Sequence, residues 1–196
     1  MPTGVMFETI QNKIAERLRG SKAIRAAARF ARREDGATAI EFGFVALPFL
    51  ALTFAILQTA LIFFATQELE AAVASAARLV MTGQAQTAGY SQADFKNQVC
   101  TQLNAMSLFN CSSGVYVDVK SYTTFAQVST AQPITNNQLD SSNFTYSPGG
   151  PGDIVVVSLY YQWPVYVSLL GDNLGNLGST QRLLVATSAF RNEPYN

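Results

Sequence analysis

The 196-residue chain carries 13 basic residues, 13 acidic residues and no histidine, so its formal net charge is zero. This length suits one compact domain with an appended segment better than two full domains. The absence of histidine excludes a Ser/His/Asp or Cys/His catalytic arrangement, and two cysteines alone do not complete a zinc site. We expect no metal and no cofactor.

The positive charge is concentrated in the first 36 residues. Eight basic and four acidic residues lie there, which gives this segment a formal charge of +4. A basic segment can bind nucleic acid, but one that directly precedes an apolar run is better explained by membrane orientation. We expect a cytoplasmic N-terminus and no nucleic-acid partner. Apolar residues at helical spacing in this leader fit either an amphipathic helix or an unstructured tail.

An apolar run without any charged residue covers residues 42–67, directly after a lone carboxylate at Glu41. As a helix it would be about 39 Å long, against about 30 Å for the hydrocarbon core of a bilayer. A buried helix of a soluble protein is the alternative, but this run has no polar face. We predict a transmembrane helix over residues 37–66, kinked at Pro48, where one intrahelical hydrogen bond is lost. Residues 67–196 would then form an exported head, and membrane lipid would surround the helix.

The first part of the head is predicted to be helical, to about residue 109. An i, i+3, i+4 apolar stripe continues the first helix towards Gly83, a natural helix end. A second helix is predicted to begin at a Ser91 cap and to end before Asn110. Its apolar side would consist of Phe95, Val99, Leu103 and Leu108.

From about residue 114 the pattern changes to strands. The segment VYVDVKSY alternates as a half-buried strand does, whereas DIVVVSLYYQW is apolar on both faces and should be central. RLLVATSAF is a further strand, and the polar residues 126–150 are interpreted as a surface loop. The fold class predicted is α+β: a long N-terminal transmembrane or stalk helix, then a small head with one further helix and a sheet of three or four antiparallel strands.

Cys100 and Cys111 both lie in the part predicted to be exported. An oxidising compartment would let them form a disulfide that contributes about 2–3 kcal/mol. Two buried free thiols are the alternative.

The sequence offers little for catalysis. The glycines of SPGGPGD do not follow a strand and open a helix, so they are interpreted as turn formers rather than a phosphate site. Asp153 and Asp172 are the candidates for an acid and base pair, although scattered surface carboxylates are the favoured interpretation. The head's tyrosines and Trp163 are expected to fill its core and rim. We expect no small-molecule substrate.

The stretch REDGATAIEFGF combines features of a processing signal. A basic leader ends at Gly36, a short neutral segment follows, and then come Glu41, Phe42 and the apolar helix. This order resembles the prepilin family, and it implies that a prepilin peptidase cuts between Gly36 and Ala37 at the cytoplasmic face. Glycine suits the site because no side chain hinders an extended backbone in a peptidase cleft.

The resemblance narrows when three segments are considered together: GATAIEFGFVALPFL, LEAAVASAARLVMTGQAQ and AFRNEPY. They resemble TadE-like minor pilins, or pseudopilins, of the tight-adherence (Tad/Flp) type IVb pilus, a cell-adhesion system. Residues 120–150 have no counterpart in it. The resemblance implies a non-enzymatic protein of the bacterial inner membrane, with a periplasmic or extracellular head. Its partners would be other pilins and pseudopilins and the Tad assembly platform, and it would either enter the filament or stay at its base.

The resemblance also gives Glu41 and the adjacent Phe42 a role in subunit register and assembly. A carboxylate at the centre of a membrane helix costs about 2.5–3.5 kcal/mol, so it should find a partner. Cleavage would create an α-amine on Ala37, and the Glu at this position of pilins pairs with the amine of a neighbouring subunit. The alternative is an interfacial carboxylate favoured by the helix N-terminus by about 0.3–1 kcal/mol.

Two other functions compete with this one. The chain could be an uncleaved, single-pass, membrane-anchored periplasmic binding module, in which case the mature protein begins at Met1. It could also be a tethered enzyme that uses a carboxylate pair.

Overall fold

The computed structural model describes residues 34–103, 108–129, 131–166, 175–178 and 180–195. Backbone contacts divide the chain into a unit that ends at Leu52 and a unit that begins at Thr53. The first unit contains the beginning of helix α1, Glu34–Met81, and the second contains the rest of α1 and the head. The predicted amphipathic segment of the leader lies outside the described residues.

Helix α1 ends where the sequence predicts. Gly83 adopts a φ of 73°, and its N–H bonds the carbonyl of Val80 at 3.1 Å. Glycine tolerates this left-handed conformation, so it closes the helix without steric cost. A short helix α2, Gln84–Thr87, follows the turn.

Helix α3, Gln92–Leu103, has the predicted cap. The Ser91 hydroxyl donates to Asp94 at 2.6 Å, and the Asp94 backbone N–H donates back to the Ser91 hydroxyl oxygen at 3.2 Å. The pair resembles a capping box, with Asp in place of Glu or Gln. The helix is described as far as Leu103, and residues 104–107 of the predicted helix lie outside the described residues. Leu108 lies beyond it, outside any helix, and a single turn, α4, Cys111–Gly114, precedes the sheet.

The sheet has the predicted antiparallel strands in the order β1–β4–β5. They are β1, Val115–Tyr122; β4, Ile154–Pro164; and β5, Gln181–Arg191. Strand β4 is central and almost wholly buried, as its apolar residues on both faces predict. Val115 pairs with Tyr161 in one ladder, and Ile154 pairs with Arg191 in the other.

One face of the sheet packs on the helices and forms the main core. The apolar stripe of α1 and the buried side of α3 meet alternate residues of β1, β4 and β5 there. Four of the eight buried residues of the α1 stripe are alanines. The stripe consists of Ile62, Ala65, Leu69, Ala72, Val73, Ala76, Ala77 and Val80. The α+β prediction is therefore confirmed.

The predicted loop over residues 126–150 contains more structure than expected. It forms a 3₁₀ turn, Phe125–Gln127, and a hairpin of β2, Ile134–Thr135, with β3, Gln138–Leu139. Asn136 and Asn137 have φ values of 52° and 59°, which type I′ hairpin turns require and asparagine tolerates. The hairpin covers part of the second sheet face, where Ile134, Leu139 and Phe144 contact Tyr160.

Candidate functional site

The predicted cleavage site lies in the first turn of α1. Gly36 and Ala37 are the third and fourth residues of the helix, and a Cβ at Gly36 would meet no atom within 4 Å. The residues before Glu34 lie outside the described part of the chain.

Glu41 and Phe42 lie one turn further along α1, and both are exposed. No described side chain forms an ion pair or hydrogen bond with the Glu41 carboxylate. Residues 37 and 41 stand four apart on the helix and therefore lie on the same face. An amine created at Ala37 would lie within one helical turn of its own Glu41, or could meet that of a neighbouring chain.

The surface of α1 is apolar in both units. The unit that ends at Leu52 exposes large apolar side chains around the helix, and the helix continues unbroken through Pro48. In the second unit the exposed ones are Phe54, Ile56, Leu57, Leu61, Phe63 and Phe64. Hydroxyl groups in this stretch bond locally, since Thr59 and Thr66 donate to carbonyls four residues earlier at 2.9 and 2.8 Å. α1 is long and apolar enough to cross a membrane, and the described residues contain one such helix.

A hydrogen bond between residues far apart in the sequence joins α1 to the chain just after β4. Gln58 is buried despite its position in the apolar run, and its Oε1 accepts a hydrogen bond from the Tyr166 backbone N–H at 3.2 Å. Tyr166 itself is exposed, just beyond the end of β4. An amide among apolar neighbours distinguishes Gln58 in the sequence, but it does not identify Tyr166 as its partner.

The segment after β5 packs against the C-terminal end of α1. The Tyr195 ring lies against Gly83, where an added Cβ would overlap the ring, and the Tyr195 hydroxyl donates to the Gly149 carbonyl at 3.3 Å. The Glu193 N–H donates to the Met81 carbonyl at 2.9 Å, at the end of α1. Part of the AFRNEPY segment thus serves to hold the helix end.

Two side-chain amides, those of half-buried Gln86 and buried Asn192, link the same region to the SPGGPGD turn. Gln86 Nε2 and Asn192 Nδ2 both donate to the Pro148 carbonyl, at 3.0 and 2.9 Å. Their oxygens, Gln86 Oε1 and Asn192 Oδ1, have no hydrogen-bond partner among the described residues. The glycines of this turn shape a backbone that two side chains recognise, as their interpretation as turn formers implies.

Of the two carboxylates considered as an acid and base pair, the structure describes one. Asp153 Oδ2 accepts the Gly150 N–H at 2.8 Å, which stabilises the turn before β4. Asp172 lies outside the described residues. Trp163 and Tyr161 are buried, and Phe109 packs edge-on against both rings.

A polar depression of about 270 Å³ lies on the second sheet face. Its buried Asp118 accepts hydrogen bonds from Lys120 Nζ at 2.7 Å and from the Thr145 N–H at 2.8 Å. Burial raises the pKa of Tyr160 at its wall, against the opposing hydrogen bond with Ser158. On the rim, hydrogen bonds from Ser142 lower the pKa of Asp140. The Asp118 and Asp140 carboxylates thus each accept hydrogen bonds from groups close to them in the chain or the sheet.

The structure joins Cys100 and Cys111 by a disulfide that links α3 to α4, with Cα atoms 5.6 Å apart. Nearby, Lys96 Nζ donates to the Ser112 carbonyl at 2.9 Å, and burial lowers the pKa of Lys96. Within the described chain no group of three or more acidic or cysteine side chains could hold a metal ion.

Residues 36–78 match the family model described as TadE-like protein. The match begins at Gly36 and lies wholly within α1, so it confirms the resemblance over the cleavage region and the helix that follows. The chain is thus similar to TadE-like proteins over 43 of its 196 residues. No curated protein and no solved structure matches the chain significantly.

Proposed function

We propose that this protein is a minor pilin or pseudopilin of a Tad/Flp pilus, cut by a prepilin peptidase between Gly36 and Ala37. The observation that carries the proposal is the family match that begins at Gly36 and runs along a helix whose exposed surface is apolar. A major pilin of this class would be much shorter. The three-stranded head and its disulfide therefore support a minor component that acts in priming, at the tip or in assembly.

The proposed location is the bacterial inner membrane, crossed once by α1. The +4 leader stays in the cytoplasm because basic residues are retained there, and the head lies in the periplasm or outside the cell. The disulfide fits an oxidising compartment. The partners are the peptidase, the Tad assembly platform and the apolar helices of other pilins, and membrane lipid surrounds α1 before assembly.

The proposed role of Glu41 follows from its position on α1. The carboxylate is exposed, no described cation pairs with it, and it stands one turn from the amine that cleavage would create. An unpaired carboxylate in the membrane costs about 2.5–3.5 kcal/mol, which a pair with the amine of a neighbouring subunit would offset. Such a pair sets the register of one helix against the next.

The test is N-terminal mass analysis of the mature protein from cells with and without an active prepilin peptidase. A terminus at Ala37 that depends on the peptidase is expected. An intact leader in both samples would contradict the proposal and favour the uncleaved membrane-anchored binding module.

A matched pair of glycines sharpens this test. Gly36 and Gly43 lie in the same helix, and neither would contact another atom through an added Cβ. Gly36→Leu should block cutting because a bulky side chain fills the peptidase cleft, whereas Gly43→Leu should leave it intact. Gly36→Ala should be partly tolerated. Equal processing of the two leucine variants would show that Gly36 does not define the site.

A further inference from the structure

The surroundings of helix α1 change at two positions along its length, which are called levels below. The first is at Gln58, which accepts the Tyr166 N–H, so the head covers one side of the helix from this residue onwards. The second is at Phe64, the last large apolar residue exposed on the described part of α1. Beyond it the exposed side carries Gln67 and Glu70, whose side chains bond each other at 3.1 Å.

Between these two levels α1 meets two environments at once. Ile62 is buried in the core of the head, while Leu61, Phe63 and Phe64 are exposed on the remaining surface, Phe63 by 68%. Six residues rise about 9 Å along a helix. The polar layer on each side of the hydrocarbon core is roughly 5–7 Å thick, so a tilted helix would cross it in about this length.

The length of α1 and the backbone beside it place the edge of the hydrocarbon core at the same level. Residues 38–57 form about 30 Å of helix, which is enough to span the hydrocarbon core without residues 58–66. Val165 and Tyr166 lie outside β4, and irregular backbone is not tolerated against lipid chains. The level of Gln58 therefore belongs in the interface rather than inside the core.

The part of the head at this level has the composition of a membrane interface. Among the described residues it consists of Leu108 and residues 163–166, none of which is charged, and it borders a depression of about 360 Å³. Tyr166 is 81% exposed. Tyrosine and tryptophan concentrate at headgroup level because each combines an apolar ring with a polar group.

We propose that this edge, Leu108 with residues 163–166, lies in the headgroup layer of the bilayer, with Tyr166 as its anchor. The occupant of the edge is lipid, because the edge continues the apolar surface of α1 at the level where that surface ends. The head is thereby seated on the membrane at a fixed height. The inference rests on the proposed membrane span.

The test uses Trp163, the only tryptophan of the chain, as a depth reporter. The full chain is reconstituted at a low protein-to-lipid ratio into phosphatidylcholine vesicles. The lipids are brominated either near the glycerol end or near the methyl end of their acyl chains. The fluorescence of Trp163 should be quenched more strongly by lipids with bromine near the glycerol end than by lipids with bromine near the methyl end. Tyr166→Asp should lower this quenching roughly twofold, because a carboxylate leaves the interface for water.

Phe125→Asp is the matched control, since Phe125 is an aromatic residue of the head that is 60% exposed away from this edge. Trp163 fluorescence in the Phe125→Asp variant should be quenched as strongly as in the native chain. The Tyr166→Phe variant should retain most of this quenching. An unchanged Trp163 emission maximum in detergent would show that each variant is folded.

The outcomes separate this inference from the membrane span. Native chain that is lost from carbonate-washed vesicles would overturn the span and the inference together. If the chain inserts but its Trp163 fluorescence is not quenched, the inference alone is overturned. The same holds if quenching falls equally in the Tyr166→Asp and Phe125→Asp variants. Quenching that disappears as the protein-to-lipid ratio rises would show that a second copy occupies the edge instead.

Discussion

Replacing Gly83 with alanine tests how the segment after β5 holds the end of α1. Two penalties are expected at this position. Alanine in the left-handed region costs about 1–2 kcal/mol. In addition, its Cβ would overlap the Tyr195 ring, so the ring must leave its site.

The second penalty is limited by what the docked ring contributes. Tyr195 follows β5 without belonging to a helix or strand, so it can move away rather than distort the core. The variant then loses one hydrogen bond to Gly149, worth about 0.5–1.5 kcal/mol, and the partly buried contacts of the ring. We expect an excess of about 1–3 kcal/mol over the backbone penalty alone.

Gly89→Ala measures that backbone penalty by itself. Gly89 has a φ of 65°, close to the 73° of Gly83, but an added Cβ would meet no atom within 4 Å. The free energy of unfolding is measured by urea titration of the full chain in detergent, with Trp163 fluorescence as the signal. Gly89→Ala should lose about 1–2 kcal/mol and Gly83→Ala about 2–5 kcal/mol.

A double-mutant cycle completes the test. In a Tyr195→Ala background, Gly83→Ala should cost no more than Gly89→Ala, because the ring that it displaces is already absent. Equal costs of the two glycine variants in the native background, or an excess at Gly83 that persists without Tyr195, would refute the proposed docking.

Three further predictions concern other parts of the chain. Glu41→Ala and Glu41→Gln should leave cleavage intact but lower the amount of assembled pilus, whereas Glu70→Gln should change neither; normal piliation in the Glu41 variants would remove its proposed role. Replacing Cys100 and Cys111 together with serine should lower the free energy of unfolding by about 2–3 kcal/mol in urea titrations, and an unchanged midpoint would contradict a stabilising disulfide. Burial, with smaller effects from Tyr90 and Asp94, raises the pKa of Tyr146 to about 12, above the value of 10 for an unperturbed tyrosine. Its neutral form therefore stabilises the fold below pH 10, and this contribution is lost as the pH rises towards 12. Tyr146→Phe should weaken the pH dependence of the free energy of unfolding in that range. It should keep full stability at pH 7, because the native hydroxyl is buried without a described partner. A loss above about 1 kcal/mol at pH 7 would contradict this expectation.

The sequence by itself determined the elements whose causes are local. The charge-free run and its unbroken apolar pattern specify α1, and Gly83 ends it because glycine alone adopts the required turn cheaply. Ser91 and Asp94 cap α3 within one turn. The apolar residues on both faces of β4 placed it at the centre of the sheet, since an edge strand would expose one side.

The Asn136–Asn137 turn was also a local signal, and an asparagine pair between short apolar segments would have predicted the hairpin. Leu108 was placed in α3 because it continues the apolar spacing of the helix. In the structure it lies outside any helix, in the segment that leads to the disulfide between Cys111 and Cys100.

Only the tertiary structure decided how distant segments meet. Gln58 and Tyr166 are 108 residues apart, and nothing in either local pattern indicates their hydrogen bond. The same holds for the Tyr195 ring on Gly83 and for the two amides on the Pro148 carbonyl. Periodicity reveals which face of an element is buried, but not against which partner. The register of the strands and the fit of side chains in the packed core select that partner.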